Sequence, residues 1–332
     1  MNLRKFIILT CTAILAAAFV GCQEREMAAT ELLAVDFKAG AVLRYKLVSS
    51  RDIEIDLDST GAASKRGKSE PQKMTEKLEL VIAYYPVAID PYGLSTIEGK
   101  CESAKVSRTA LVGRNSPGDA AETLAGQTFR FRISPTGKIK DYSDLEELIR
   151  RLGDKAFAST TGRQGRIKNP DMISDFSALQ WHLWDSIANI EDAVAGVAPG
   201  QSWKTEQFIP LPMPIAVARE TTYTLAEVQQ TESGKKAVIN STYKLSDSRP
   251  KNWPKPYNGK FSMRGMFGFL RNFRFRSLEG AGRQFFNVDT GTLQSEQQRY
   301  KMHIDAGFMM PLGDTVPTVT IDQKISIQLL GD

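Results

Sequence analysis

Cysteine is scarce in this chain, with three in 332 residues, at Cys11, Cys22 and Cys101. Histidine is scarcer still: His182 and His303 stand far apart, with no Cys, Asp or His at ligand spacing beside them. A zinc centre needs three or four closely placed nitrogen and sulfur ligands, so that chemistry is not expected, and surface or edge positions account for both histidines. After Val20 no uncharged apolar run approaches the roughly 20 residues needed to span a bilayer. Also missing are a Gly-x-Ser-x-Gly elbow, a Walker loop and a dinucleotide fingerprint. Nothing here calls for a cofactor, and a non-enzymatic role is the expectation.

What is present begins at the N-terminus. Arg4 and Lys5 form a short positive region, and Phe6 to Val20 follow without a charge, in the layout of a secretory signal. Phe19-Val20-Gly21-Cys22 then resembles the lipobox of bacterial lipoproteins, with Phe19 where leucine is usual. That resemblance implies a leader over 1–21, cleavage before Cys22 and a lipid on its sulfur, hence a membrane as partner. Gln23, in place of aspartate, favours the outer membrane in the sorting rule of that class. Residues 22–34 read as a tether. With Cys11 removed and Cys22 acylated, Cys101 has no intramolecular partner, and a small residue packed against a strand is the expected role. Loss of Arg4 and Lys5 lowers the formal net charge from +5 to +3, too weak a balance for nucleic acid.

The body alternates apolar and polar residues with period two. Leu43, Tyr45 and Leu47, then Ile53, Ile55 and Leu57, read as strand faces, as do Leu78-x-Leu80-x-Ile82 and Phe129-x-Phe131-x-Ile133. Later examples are Ile239 to Leu245, Phe273 and Phe275, Tyr300 to Ile304, and Ile325 to Leu329. So many half-buried strands predict an α+β fold, mostly antiparallel β. The sheets would be β-meanders, duplicated or curved into a half-barrel, with about two central helices. One helix should start at a Ser143/Glu146 capping box and end at Gly153; a second should follow Pro170 and carry Ile173 through Ile190 on its stripe. Ser159 to Asn169 reads as a loop. The organisation expected is a first β-rich module over 35–142, a helical segment over 143–196 and a second β-rich module over 197–332. Thr136-Gly137 and Thr290-Gly291 are turn candidates at matching places in the two modules.

Three constellations carry residue types suited to chemistry. Ser241-Thr242-Tyr243-Lys244 spells a Ser-x-x-Lys motif, but a strand puts residues three apart on opposite faces, so it is set aside. Asp52, Glu54, Asp56 and Asp58 alternate with apolar residues and read as one solvated strand face. Most distinctive is the stretch from Arg249 to Arg276, which holds eight cations, seven aromatic residues and no acid. Lys251, Trp253, Lys255, Tyr257, Lys260, Arg264, Arg271 and Arg274 are its candidate contacts for an anionic surface, an envelope polyanion, a lipid or a protein partner. The alternative is a loop that packs its aromatics on the core and leaves its charges in water.

Together Cys22, the strand opening Gly40 to Tyr45, the Phe131 to Gly137 strand and turn, and Pro199-Gly200-Gln201-Ser202-Trp203 resemble a family of uncharacterised envelope lipoproteins, which brings no assigned activity. At the level of fold the chain is also similar to periplasmic lipoprotein carriers, half-barrels that shelter acyl chains. The expected function is lipid-anchored binding or scaffolding in the cell envelope, facing the periplasm or the surface. The alternatives are a carrier with an apolar cavity between sheet and helices, and a hydrolase without a familiar motif.

Overall fold

The computed structural model describes residues 29–57, 70–109, 118–157, 165–213, 215–248, 254–308 and 316–331. The leader, Cys22, most of the tether, Lys251 and Trp253 lie outside these. From Glu31 onward the chain forms one compact unit. Its first meander is β1 (Leu43–Asp56), β2 (Gln72–Ile89), β3 (Ser95–Arg108), β4 (Thr128–Ile133) and β5 (Ile139–Asp141). The middle holds α1 (Ser143–Lys155), β6 (Ile167–Lys168), α2 (Ile173–His182) and α3 (Asp185–Ala188). A second meander follows as β7 (Ser202–Phe208), β8 (Ala218–Thr231), β9 (Gly234–Leu245), β11 (Leu270–Asn287), β12 (Thr292–Phe308) and β13 (Thr318–Leu330), with the short β10 (Ser262–Met263) before β11.

Among the described residues both meanders belong to a single antiparallel sheet of 11 strands, in the order β5-β4-β3-β2-β1-β13-β12-β11-β9-β8-β7. The joint between them is the pairing of the first long strand with the last, Arg44 opposite Leu330 through Asp56 opposite Thr318. The sheet is open, and its outermost strands are β5 and β7. It is nevertheless strongly curled. The amides of two successive residues, Val35 and Asp36, donate to Pro135 O (2.8 Å) in the β4–β5 turn and to Gly291 O (3.2 Å) in the β11–β12 turn. Along a flat sheet β4 and β12 would lie five strand spacings apart, roughly 24 Å, far beyond one residue's reach.

The helices fill the inside of the curl. Trp184 packs against Phe37, Tyr84 and Phe131, and Tyr84 meets Tyr45 and Phe129 edge to face. Such quadrupole-matched aromatic pairs add to the burial that drives the fold. Cys101 is buried in β3 and its thiol is pushed up to about 12 by burial, an inert packing role.

Several local expectations need correction. Ser143 is not the cap of α1; its amide and hydroxyl both donate to Asp141 Oδ1, and Tyr142 holds the cap position without a side-chain bond. Gly153 does not end α1, which runs on to Lys155. The second helix breaks at Leu183 and Trp184 into α2 and α3, because Trp184 is drawn into the aromatic cluster. His182 is buried, not at the surface; its pKa is lowered well below the ordinary value by burial first and by Arg219 second. The segment before Asn169 contains β6, paired in parallel with β10.

Candidate functional site

The strand ends form two rims. At the hairpin rim lie the tight turns β2–β3, β4–β5, β8–β9 and β11–β12, crossed by residues 31–37. At the opposite, crossover rim lie the β7–β8 loop and the long connection from β9 to β11, which carries the basic aromatic stretch. A cleft of about 300 Å³ opens at the crossover rim. Its walls are apolar: Phe208, Met213, Ile215, Pro254, Tyr257 and Phe261, with Lys255 and Ser174 as polar members. That is the small end of the range of ligand pockets, with the composition such pockets have.

The loop that makes one wall is held by close contacts to the helical segment. A Cβ on Gly153 would stand 1.6 Å from Pro256 O, so only glycine lets α1 approach the loop this closely. The Tyr257 hydroxyl donates to Asp171 Oδ1, and Lys168 lies 4.1 Å from the Tyr257 ring centroid while pairing with Asp171 at 2.5 Å. Phe157, Tyr257 and Phe261 meet edge to face, and Arg166 donates to Asn258 O at 2.5 Å. Burial, with Asp171 adding to it, raises the Tyr257 pKa well above its ordinary value, so the hydroxyl remains a donor.

Of the candidate contacts, the structure brings Lys255 and Tyr257 to the cleft. Lys260, Arg264 and Arg274 are exposed outside its lining. Arg271 is half-buried and donates to the carbonyls of Gly268 (2.9 Å) and Leu270 (2.7 Å), a clamp at the start of β11. Tyr257 and Phe267 pack against the core and Phe261 against Phe157 and Tyr257, Phe269 is exposed, and the neighbouring lysines face water.

A second feature went unread in the sequence. Glu76, Arg51, Gln323, Tyr300, Gly280, Tyr243 and Thr221 stand opposite one another on successive strands from β2 to β8, a polar row across the inner face. In the first half it is ionic. Arg51 pairs with Glu76 (2.6 Å) and with Asp175 of α2 (3.0 Å), and Arg108 pairs with Glu76 (2.7 Å) and with Asp119. Burial alone would raise Glu76, but Arg51 and Arg108 together hold it below its usual range. Asp119 also accepts the amide of Met172, next in sequence to Asp171 under the cleft.

In the second half Arg219 sits between aromatic faces, 4.0 Å from the Tyr243 ring and 4.6 Å from Tyr300. Gly280 permits this, since a Cβ there would meet the Tyr300 Cβ at 2.5 Å. Arg219 donates to Gln207 Oε1 (2.7 Å) and Gln298 Oε1 (2.5 Å), both neutral. Among the described residues, the buried acids Asp185 and Glu296 have no cation in hydrogen-bond contact. Asp185 accepts from Gln207 (2.7 Å), Tyr223 (3.0 Å) and Asn189 (3.1 Å), and enclosure pushes it up to about 6. Glu296 accepts from Gln298 (2.5 Å), and burial pushes it up to about 7. Perturbed acids are a mark of catalytic sites, but this pair lies in the interior and neither lines the cleft. Among the described residues no three of His, Cys, Asp and Glu converge as a metal site.

The row could have been found by parity. Tyr45, Leu47, Ser49, Arg51, Ile53 and Ile55 are all buried and all odd-numbered, so Ser49 and Arg51 share the face of their apolar neighbours.

No family model matches this chain, and no curated protein matches it, so the resemblance to a family of envelope lipoproteins gains no support from a family match. Among solved structures, one on lipid–protein interactions in lipovitellin superposes over 89% of this chain with a TM-score of 0.42 and 10% identity. The chain spans about a quarter (26%) of the length of that structure.

Proposed function

We propose that this protein is a non-enzymatic binding protein of the cell envelope, anchored through a lipid on Cys22, that seats a small amphiphile in the crossover-rim cleft. The lining of that cleft carries the reading: a wall of Phe208, Met213, Ile215, Pro254 and Phe261 with one ammonium, Lys255, beside it. Apolar surface of this kind gains about 25 cal/mol for each Å² taken from water. The lysine selects for an anionic group on the same molecule. A ligand site at the rim is also compatible with an interior filled by Trp184, Tyr84 and the polar row.

The test uses the full chain as Cys22→Ser, titrated with a fluorescent fatty acid and with its methyl ester. Ala216→Trp, which fills the cleft, should abolish binding of both. Lys255→Glu should weaken the acid about tenfold, or about 1.4 kcal/mol, and leave the ester unchanged. Binding unaffected by Ala216→Trp would remove the cleft from consideration. In that case the exposed Lys260, Arg264 and Arg274 would be left as contacts for an envelope polyanion, read out by loss of retention on anionic vesicles in their glutamate variants. Palmitate labelling that disappears in Cys22→Ser but not in Cys101→Ser tests the anchor.

A further inference from the structure

Large apolar side chains that stay exposed are unevenly placed on this protein. Of the eight among the described residues, six lie at the hairpin rim: Leu32 (58% exposed), Val42 (37%), Val87 (50%), Ile89 (42%), Tyr92 (89%) and Val194 (92%). Val87, Ala88 and Ile89 are three consecutive exposed apolar residues leading into the β2–β3 turn, where Tyr92 is the tip. Val42 adjoins the same region, since its neighbours Ala41 and Leu43 share a surface groove with Pro86. Exposed apolar residues gathered at one end of a protein mark a contact surface.

The chain also enters at this rim. Glu31 bridges to Val197 and its carboxylate pairs with Lys235 beside the β8–β9 turn. Nine residue steps separate Cys22 from Glu31, a reach of about 30 Å at full extension. The strands are longer than that: β1 alone has 14 residues, roughly 45 Å. A lipid on Cys22 therefore cannot let the crossover rim rest on the membrane. At the hairpin tips Asp90 accepts the amides of Tyr92 and Leu94 and Asp289 accepts the amide of Lys235, while Glu232 of the β8–β9 turn is exposed.

We infer that the hairpin rim is a membrane-contact face, on which Tyr92, Val87, Ile89, Val42 and Leu32 enter the interface of the bilayer that holds the Cys22 lipid. This rests on the anchor proposed above. Tyrosine at the tip suits the headgroup level, with its ring in the apolar boundary and its hydroxyl in water. The contact is apolar, so zwitterionic lipid suffices. The cleft then faces away from the anchoring membrane and meets its ligand from the aqueous side.

The experiment places a polarity-sensitive fluorophore on Pro91→Cys or, at the other rim, on Ser262→Cys. Cys101, being buried, stays unlabelled. The acylated chain is reconstituted in phosphatidylcholine vesicles containing a lipid-borne quencher. The Pro91→Cys probe should blue-shift and be quenched several-fold more than the Ser262→Cys probe, and Val87→Glu with Tyr92→Glu should erase the difference. Equal, weak quenching at both sites on an acylated chain overturns the inference and leaves the anchor intact. Should labelling show Cys22 unacylated, the anchor fails, and the same measurement on chain held to chelating lipid by an N-terminal polyhistidine tag decides the rim. A blue shift that grows with protein concentration without vesicles would make this face a contact between copies and overturn the membrane assignment.

Discussion

The two halves of the polar row solve one electrostatic problem in different ways. Each buries an arginine and at least two acids between a curled sheet and a helix. In the β1–β3 half the guanidinium of Arg51 touches Glu76 and Asp175 directly, and a second arginine, Arg108, completes the charge balance. In the β8–β12 half Arg219 binds only glutamine oxygens and tyrosine rings, and burial pushes Asp185 up to about 6 and Glu296 up to about 7. Burying a carboxylate without a cation shifts its pKa upward; burying it between two cations shifts it down. Contact with one arginine does not suffice: Glu76, between two, is held below its usual range, whereas Asp175 and Asp119, each touching one, are still raised by burial.

The largest test breaks the ionic half. Arg51→Met leaves Glu76 and Asp175 without their shared cation and should cost about 3–5 kcal/mol in denaturant unfolding. Arg219→Met removes hydrogen bonds to neutral partners and should cost less, about 1–3 kcal/mol. Equal losses would erase the distinction between the halves.

Second in size is a contrast in pH dependence. Glu296 has a raised folded pKa, so its protonated form stabilises the fold below about pH 4.5, and that contribution is lost as pH rises through about 7. Glu76 has a lowered folded pKa, so its contribution is present above about pH 4.5 and is lost as pH falls through the folded value. Glu296→Gln should thus remove a decline in stability between pH 4.5 and 7 of roughly 3 kcal/mol. Glu76→Gln should flatten the acid limb instead. Thermal unfolding across pH 3 to 8 separates the two, and identical profiles would contradict the assignment.

Two smaller effects concern the link from the ionic half to the cleft. Gly153→Ala forces a methyl onto Pro256 O and should destabilise by about 1–3 kcal/mol, while hydrogen exchange quickens in 254–263 and not at the hairpin rim. Tyr257→Phe deletes the donor to Asp171 and should cost about 1 kcal/mol, with amphiphile affinity falling in step. Weakened binding with unchanged exchange in that loop would show that the hydroxyl acts on the ligand and not through the loop's position.

Much of the fold was legible in the chain. Period-two alternation located the strands because one face is apolar along most of their length, as in Leu78 to Ile82 and Phe129 to Ile133. It was silent on Ser49 and Arg51, since a polar residue at an inward position spells the same as a pause in the pattern. Lys255 and Tyr257 stood out by composition, and both line the cleft. Their cleft partners did not, because Phe208 ends β7, Met213 and Ile215 come from the β7–β8 loop, and Asp171 stands 86 residues before Tyr257. The Ser143 cap failed through competition: Asp141, two residues earlier, is the better acceptor for that amide and hydroxyl.

By itself, then, the sequence determined the class of fold, the turn chemistry at Gly137 and Gly291, and the concentration of cations and aromatics after Asp247. These are local properties, set by side-chain period and backbone freedom. Only the tertiary structure decided that β1 pairs with β13 to make one sheet of two meanders, that Arg51 and Arg219 face inward, and that Tyr257 and Phe267 of the basic stretch pack on the core while Phe269 stays exposed. Each of those depends on which distant strand or helix supplies the partner, and a buried ion pair or a ring stack exists only once that partner has arrived.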